Sequence, residues 1–184
     1  MTRLFVGIEL PRELRAALAL MGNGLPGARW TPEENYHLTL RFIGEVDNAT
    51  FDDIAQSLGS IEAPAFELIL KGVGHFGSSR QPRVLWVGVE PVPALLHLRE
   101  KVESMLVRLG LEPEGRKYTP HITLARLDDA KQHRVADFEA RHNLFSWPPI
   151  EARDFVLFSS RPGGGHAVYR DEARYPLIEG GATV

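Results

Sequence analysis

The sequence predicts an α+β fold of two similar lobes related by approximate two-fold symmetry, with mostly antiparallel sheets lining a central cleft and helices outside. Two observations predict it. The phrase His-x-Thr-Leu is written twice, at His37–Leu40 and His121–Leu124, in a chain of 184 residues with only seven histidines and seven threonines. Around the two copies, the starts of helical and strand patterns recur 81 to 85 residues apart. One offset therefore fits the order helix, short strand, histidine strand, helix, strand, strand in each half. A strand at Arg3–Leu10 is expected to stand outside the repeat as an extra first strand.

Taken along the chain, Leu14, Ala17, Leu18 and Met21 form one helical face that begins at Pro11 and ends at Gly22. The first histidine strand starts near Tyr36. Thr50 followed by Asp53 reads as a helix N-cap ahead of Ile54 and Leu58, with Gly59 as the stop. Strands are expected from near Ala65 and from Arg83, the latter on the apolar run Val84-Leu85-Trp86-Val87. The second half repeats this order. A stronger helical face runs through Leu95, Leu98, Val102, Met105, Leu106 and Leu109 to Gly110, and the second histidine strand follows at His121. A helix at Lys131–His142 rests on Val135 and Phe138 alone, and the last strands start near Ile150, carrying Phe155-Val156-Leu157-Phe158, and near His166. Loops are expected at Gly22–Gly27, Gly72–Pro82 and Arg161–Gly165.

A chain of this length buries roughly 70% of its extended surface, and no Pro/Ser/Gly-rich linker divides it. We expect one domain over residues 1–184, with repeat halves of approximately 1–91 and 92–184. The absence of cysteine excludes disulfides, thiolate metal sites and cysteine nucleophiles. No apolar window approaches the roughly 18 residues of a membrane span, and the apolar stretch at the N-terminus is too short for a signal peptide. A cytoplasmic monomer that makes no membrane contact is the expectation. The net charge of −3 argues against a long nucleic-acid footprint, which needs a basic surface. Seventeen of the 21 basic residues are arginine, a bias that genome composition explains as readily as phosphate recognition.

On a strand, residues i and i+2 share a face, so His37 stands beside Thr39 and His121 beside Thr123, while Leu38, Leu40, Phe42, Ile122 and Leu124 turn to the core. One such strand would read as a solvated face. Two, facing each other across a two-fold axis, flank one reacting centre with two imidazoles. Histidine, whose ordinary pKa is about 6.5, can serve as base in one copy and acid in the other. Threonine hydroxyls two residues along can hold an anion between them. That combination suits in-line displacement at phosphorus. A metallohydrolase would need a third ligand, and threonine is a poor one. No His-Glu-x-x-His, G-x-S-x-G, P-loop or G-x-G-x-x-G pattern occurs.

The flanks carry more. Trp30-Thr31-Pro32-Glu33-Glu34-Asn35-Tyr36 before the first motif, Arg41-Phe42-Ile43-Gly44-Glu45-Val46 after it, and Tyr118-Thr119-Pro120 and Ala125-Arg126 around the second resemble the motif regions of the two-histidine phosphoesterase superfamily. The resemblance is to its RNA 2′,3′-cyclic phosphodiesterases, also called 2′-5′ RNA ligases, and runs from Leu4 to about Tyr175. It implies metal-independent hydrolysis of a 2′,3′-cyclic phosphate, on an RNA 3′ end or a nucleotide, to a 2′-phosphomonoester, with no cofactor. His37 then carries the role of proton donor, His121 that of proton acceptor, and Thr39, Thr123 and Arg126 bind phosphate. Relatives also act on 2′-5′ linked RNA and on ADP-ribose cyclic phosphate. A non-catalytic RNA-end binding module is the alternative from another class.

Strict alternation puts Arg126 opposite His121, so its role requires a bulge, a strand end or reach from the rim. Arg41 falls on the His37 face as a second cation or a solvated side chain. Phe76 is either a base platform or a loop anchor. His75, His97, His133 and His142 are expected at the surface, and His166 is expected to be structural.

Overall fold

The computed structural model describes residues 1–180. In chain order the elements are β1 (Thr2–Glu9), α1 (Arg12–Met21), β2 (Ala28–Trp30), a 3₁₀ turn (Glu33–Asn35), β3 (His37–Val46), α2 (Asn48–Leu58), β4 (Phe66–Leu68) and β5 (Leu70–Gly77). The second half follows with β6 (Pro82–Val89), α3 (Pro93–Arg108), β7 (His121–Leu127), α4 (Gln132–His142), β8 (Ile150–Ala152), β9 (Asp154–Pro162) and β10 (Ala167–Pro176). The α+β class and the antiparallel pairing are as the sequence predicts. No described helix is long and apolar enough to cross a membrane.

Two four-stranded sheets form, in the orders β10-β9-β1-β3 and β2-β7-β6-β5. Their three-strand cores correspond: β9-β1-β3 in one is β5-β6-β7 in the other. The central strands β1 and β6 carry the same phrase, Val6-Gly7-Ile8-Glu9 and Val87-Gly88-Val89-Glu90, 81 residues apart. The strands without a counterpart are therefore β10 and β2, each at a sheet edge, and not the first strand, which is the counterpart of β6; the short strand expected before the second histidine strand does not form. Each sheet takes its outer strand from the other repeat: β5 pairs with β6, and β9 with β1.

The local two-fold axis shows directly in the small β4–β8 ladder. There Phe66 pairs with Ala152, Glu67 with Glu151 and Leu68 with Ile150, so each residue faces the 84-residue counterpart of its mirror position and Glu67 faces its own. Only a two-fold relation produces that register.

One continuous apolar core joins both repeats. It includes Leu14 and Leu18 of α1, Ile54 and Leu58 of α2, Leu95, Leu98, Val102 and Leu106 of α3, and Val135 and Phe138 of α4. Most apolar positions read from the sequence are buried, but Ala17, Met21 and Met105 are only half-buried and Leu109, at the end of α3, is exposed. Two local expectations differ. The cap of α2 is Asp47, whose carboxylate accepts the backbone N–H of Thr50 at 2.8 Å; Thr50 donates instead of capping. Residues 72–77 are strand, not loop, because β6 offers them a hydrogen-bonding edge.

Arg41 also departs from its expected face. A register shift in the β1–β3 ladder between Val6 and Gly7 leaves both Leu40 and Arg41 buried, at 2% and 8% exposure. Arg41 Nε donates to Glu103 of α3 at 2.6 Å, and its other nitrogens donate to the carbonyls of Phe42 and Glu112. Burial raises the Glu103 carboxyl's pKa, but hydrogen bonds from Arg41 and the Glu114 N–H outweigh it and hold the group below its ordinary value. Removing one partner would strand the other charge in the core. We predict that Glu103→Ala loses about 3–5 kcal/mol of stability in urea titration, while Arg29→Ala, at an exposed pair with Asp128, loses at most about 1 kcal/mol.

Candidate active site

The two motif strands are tied to each other by reciprocal bonds from the loops that precede them. Tyr118, three residues before His121, donates its hydroxyl to the Thr39 carbonyl at 2.9 Å. Thr31, in the approach to β3, donates its hydroxyl to the Thr123 carbonyl at 3.0 Å and its N–H to the Leu124 carbonyl at 2.8 Å. Each repeat thus holds the motif threonine of the other. Burial keeps the Tyr118 phenol well above its ordinary pKa, so it remains a donor.

Within each strand the imidazole is fixed in the same way. His37 Nδ1 lies 2.7 Å from the Asn35 carbonyl, and His121 Nδ1 lies 2.7 Å from the Thr119 carbonyl. A carbonyl only accepts, so both Nδ1 atoms carry hydrogen, and Nε2 is left for chemistry in both rings. His37 Nε2 meets Thr39 Oγ1 at 2.7 Å. The sequence-predicted pairing of each histidine with its threonine face is therefore present in the first motif as a direct bond. Gly7, opposite Thr39 on β1, makes room for this: a Cβ there would lie 2.7 Å from the Leu38 carbonyl and 3.5 Å from the His37 ring.

Aromatic rings wall each imidazole differently. His37 packs beside Phe5 at 4.8 Å and edge-on to Tyr169 at 5.4 Å. His121 meets Phe76 edge-on at 4.7 Å. Phe5 stacks on Phe158 at 4.9 Å. At the matching place on the other sheet Trp86 covers Gly74, where a Cβ would come within 2.4 Å of the indole. Burial lowers the pKa of both imidazoles, against a smaller rise from the Asn35 and Thr119 carbonyls. The positive form of His121 lowers His37 further, so the two rings sense each other across the cleft.

Arg126 reaches the cleft face by a bulge. The β6–β7 register shifts between Leu85 and Trp86, leaving Leu124 and Ala125 both buried and returning Arg126 to the side of His121 and Thr123. Burial raises the pKa of the Tyr169 phenol beside His37, and the charge of Arg126 lowers it by less. The same bulge in β3 buries Arg41 and turns out Phe42, 55% exposed, with its ring 5.9 Å from Phe5. Arg126 and Phe42 are thus matching positions of the two repeats, one a cation and one an aromatic. Alternation expects Phe42 in the core with Leu38 and Leu40, and the bulge at Leu40 turns it out instead; the signal for its place at the site is its spacing, five residues after His37 as Arg126 is after His121.

The remaining histidines fall elsewhere. His75 is half-buried and hydrogen-bonded to Glu139 of α4. His97 and His133 are exposed. His142 is not a free surface residue, because its ring lies 4.4 Å from Phe138. His166 is exposed and stands 3.5 Å from Glu34. Among the described residues no group of three His, Asp or Glu side chains is placed to hold a metal ion.

Two measurements check this geometry. Imidazole NMR titration is expected to give midpoints below about 6.5 for both His37 and His121; a midpoint above that value would mean that burial does not control the rings. Tyr118→Phe is expected to cost about 1 kcal/mol in urea titration and to shift the amide resonances of Thr39 as well as those near residue 118.

Comparison with known proteins adds to this picture. Residues 8–86 and 87–169 each match the family described as LigT-like phosphoesterase. The chain is 35% identical over 170 residues to an RNA 2′,3′-cyclic phosphodiesterase of Thermotoga maritima, covering 86% of either chain. It is 30% identical over 181 residues to the protein of that name from Escherichia coli K12, covering 96% of this chain and 97% of the other. A match to the Aeropyrum pernix protein reaches 42% identity but spans only 57% of that protein's length. The crystal structure of E. coli LigT complexed with 3′-AMP superposes with a TM-score of 0.79 at 31% identity, covering 96% of this chain and 98% of that one. With a family match over each repeat and a relative of this identity along almost its whole length, the chain belongs to the LigT-like phosphoesterases of the two-histidine superfamily.

Proposed function

We propose that the chain hydrolyses the 2′,3′-cyclic phosphate of an RNA 3′ end or nucleotide without a metal or cofactor, leaving the phosphate on the 2′-oxygen. Water attacks phosphorus as His121 Nε2 takes its proton. The bond to the 3′-oxygen breaks, and His37 Nε2–H protonates that oxygen. Thr39, Thr123 and Arg126 hold the non-bridging oxygens, and the arginine offsets the charge that gathers on them. The observation that carries this reading is the matched presentation of two Nε2 atoms, each set by a carbonyl at Nδ1, beside hydroxyl groups and a guanidinium.

Assignment of acid and base follows from room. In an in-line displacement the water enters and the ribose 3′-oxygen departs on opposite sides of phosphorus, so the departing side of the ribose lies beside the acid. The exposed Phe42 ring adjoins Phe5 on the His37 side and offers a platform for a base, a contact worth about 1–3 kcal/mol. Phe76, edge-on to His121, walls the water side and positions that imidazole. The names of the Thermotoga and E. coli relatives point to the same substrate class. We read residues 1–184 as one domain on the same ground, since both repeats contribute to the cleft. Activity on 2′-5′ linked RNA would use the same groups on a different phosphodiester.

The test is turnover of 2′,3′-cyclic AMP after exhaustive chelation, with the product resolved by phosphorus NMR. Retained activity yielding 2′-AMP is expected. Activity lost and restored by Zn²⁺ or Mn²⁺ would overturn the two-histidine mechanism, dominant 3′-AMP would reverse the assignment of acid and base, and tight binding without turnover would make the chain a binding module. His37→Ala and His121→Ala are each expected to lower kcat by about 10²–10⁴-fold, with the double variant little worse than the poorer single one, because both act in one step.

The pH dependence follows from the lowered imidazole pKa values. His121 must be neutral, so activity falls as pH drops through its pKa. His37 must be charged, so activity falls as pH rises through its own. The bell in kcat/KM should therefore centre on the acid side of about 6.5. A bound anion favours the charged His37, so the alkaline limb of kcat should lie at higher pH than that of kcat/KM.

A further inference from the structure

A second cavity, of about 830 Å³, lies where the β9–β10 hairpin meets the starts of β1 and the end of β3. Arg3, Arg161 and His166 line it, with Glu45 as the carboxylate among its walls and Ser160 and Ala167 between. It adjoins the histidine cleft through two links. The carbonyl of Ala167 accepts a bond from Asn35 Nδ2 at 2.8 Å, and Asn35 is the residue whose own carbonyl holds His37. Tyr169, which packs edge-on to His37, pairs with Ser160 on β9, and Ser160 pairs with Arg3 on β1. Burial raises the pKa of the Tyr169 phenol, and the charges of Arg126 and Arg3 both lower it by less.

The position and the charge make sense together. If the ribose of the terminal nucleotide lies on the His37 side, its 5′-oxygen and the phosphodiester that joins it to the preceding nucleotide must leave the cleft on that side too. There the chain, acidic overall with a net charge of −3, sets two arginines and a histidine around a hollow. Glu45 and Glu34, the latter against His166 at 3.5 Å, temper the charge without cancelling both arginines. Neither Arg3 nor Arg161 has a carboxylate partner within salt-bridge distance among the described residues. The opposite sheet has no equivalent: Arg3 matches Val84 of β6, by the register that aligns Val6 with Val87. A permanent guanidinium suits a phosphodiester, whose charge does not titrate in the working range.

We propose that this cavity binds the phosphodiester and sugar of the nucleotide preceding the cyclic end, so that the protein selects RNA ends over free cyclic mononucleotides. The proposal rests on the catalytic reading only for which side the ribose occupies. Arg3 and Arg161 act there on the substrate's binding and not on the reacting phosphorus.

The experiment compares 2′,3′-cyclic AMP with an adenosine trinucleotide that ends in the same cyclic phosphate. For the unaltered protein, kcat/KM is expected to be roughly ten-fold or more higher for the trinucleotide, chiefly through KM, with a steeper salt dependence by about 0.7 in log–log slope for each added phosphate contact. Arg3→Ala with Arg161→Ala should remove that advantage and leave the mononucleotide unchanged. Arg3→Lys with Arg161→Lys, which keeps the charge, should restore part of it. Equal kcat/KM for the two substrates, or an equal loss on both in the double alanine variant, would overturn the proposal while leaving the hydrolase reading intact. Fluorescence anisotropy of a labelled trinucleotide with a 3′-terminal phosphate separates the reverse case. No turnover of either substrate, with trinucleotide binding weakened ten-fold or more by the alanine pair, would sink the hydrolase reading and keep this site; binding that ignores the pair would remove it.

Discussion

Strand exchange between the two repeats is the constraint on which the cleft depends. β5 leaves the first repeat to lie beside β6, and β9 leaves the second to lie beside β1. Neither repeat completes a sheet alone, because each would keep a central strand with an open edge, a costly state for backbone groups and an invitation to other chains. The β4–β8 ladder and the Tyr118 and Thr31 bonds add cross-repeat ties near the motifs. Moving one imidazole away from the other therefore requires breaking ladder hydrogen bonds. The distance between the two imidazoles is set by the chain's own pairing, not by an interface between bodies that could hinge.

Symmetry supplies two equal imidazoles, and chemistry needs them to differ. The departures are concentrated on the cleft face. After identical bulges, one repeat presents Phe42 and the other Arg126. Beneath them, one sheet stacks Phe5 on Phe158, while the other lays Trp86 over the bare Gly74. The extra strand β10 adds Tyr169 to the His37 side alone. The core side of the bulge differs as well: Ala125 is merely small, but Arg41 is a buried cation that needs Glu103, a carboxylate Arg99 also approaches, and two carbonyls. A symmetric scaffold thus acquires a polar, cationic wall on one side and an aromatic wall on the other, through a few residues whose backbone positions match.

What the sequence reveals of this is the part that local periodicity controls. The i, i+2 rule places His37 with Thr39 and His121 with Thr123, and helical spacing identifies Leu95, Leu98, Val102 and Leu106 as core. Bulges are not local in that sense. Nothing in Leu40-Arg41-Phe42 or Leu124-Ala125-Arg126 marks an extra residue, since the bulge exists only relative to the neighbouring strand, and one extra residue flips every later side chain. Alternation consequently puts Arg41 in the cleft, where it is not, and leaves Arg126 dependent on the bulge that β7 in fact has. The place of β1 was legible. Val-Gly-x-Glu occurs at Val6 and at Val87, but pairing by strand count aligns β6 with β10 and hides it. Phe76 reads as a loop residue because its glycine neighbours suggest a turn, whereas Gly74 serves close packing under Trp86 inside the strand and only Gly77, at positive φ, ends it.

The electrostatics of the site follow from the same arrangement. Two cations side by side in a half-buried cleft would repel each other and lose hydration, and burial accordingly favours neutral rings at rest. Permanent charge comes instead from Arg126, on the outer side of a bulge where solvent still reaches it. In the proposed mechanism an anionic phosphate changes that balance, because its charge offsets the desolvation that kept His37 neutral. The acid is then armed by the substrate it will protonate. His121, next to the attacking water, has no comparable reason to charge before it accepts a proton. A pair of chemically equal imidazoles can in this way hold opposite protonation states, provided that the phosphate and its ribose sit closer to one than to the other, which is the part assigned in the proposed mechanism to the Phe42 ring and the hollow beneath the β9–β10 hairpin.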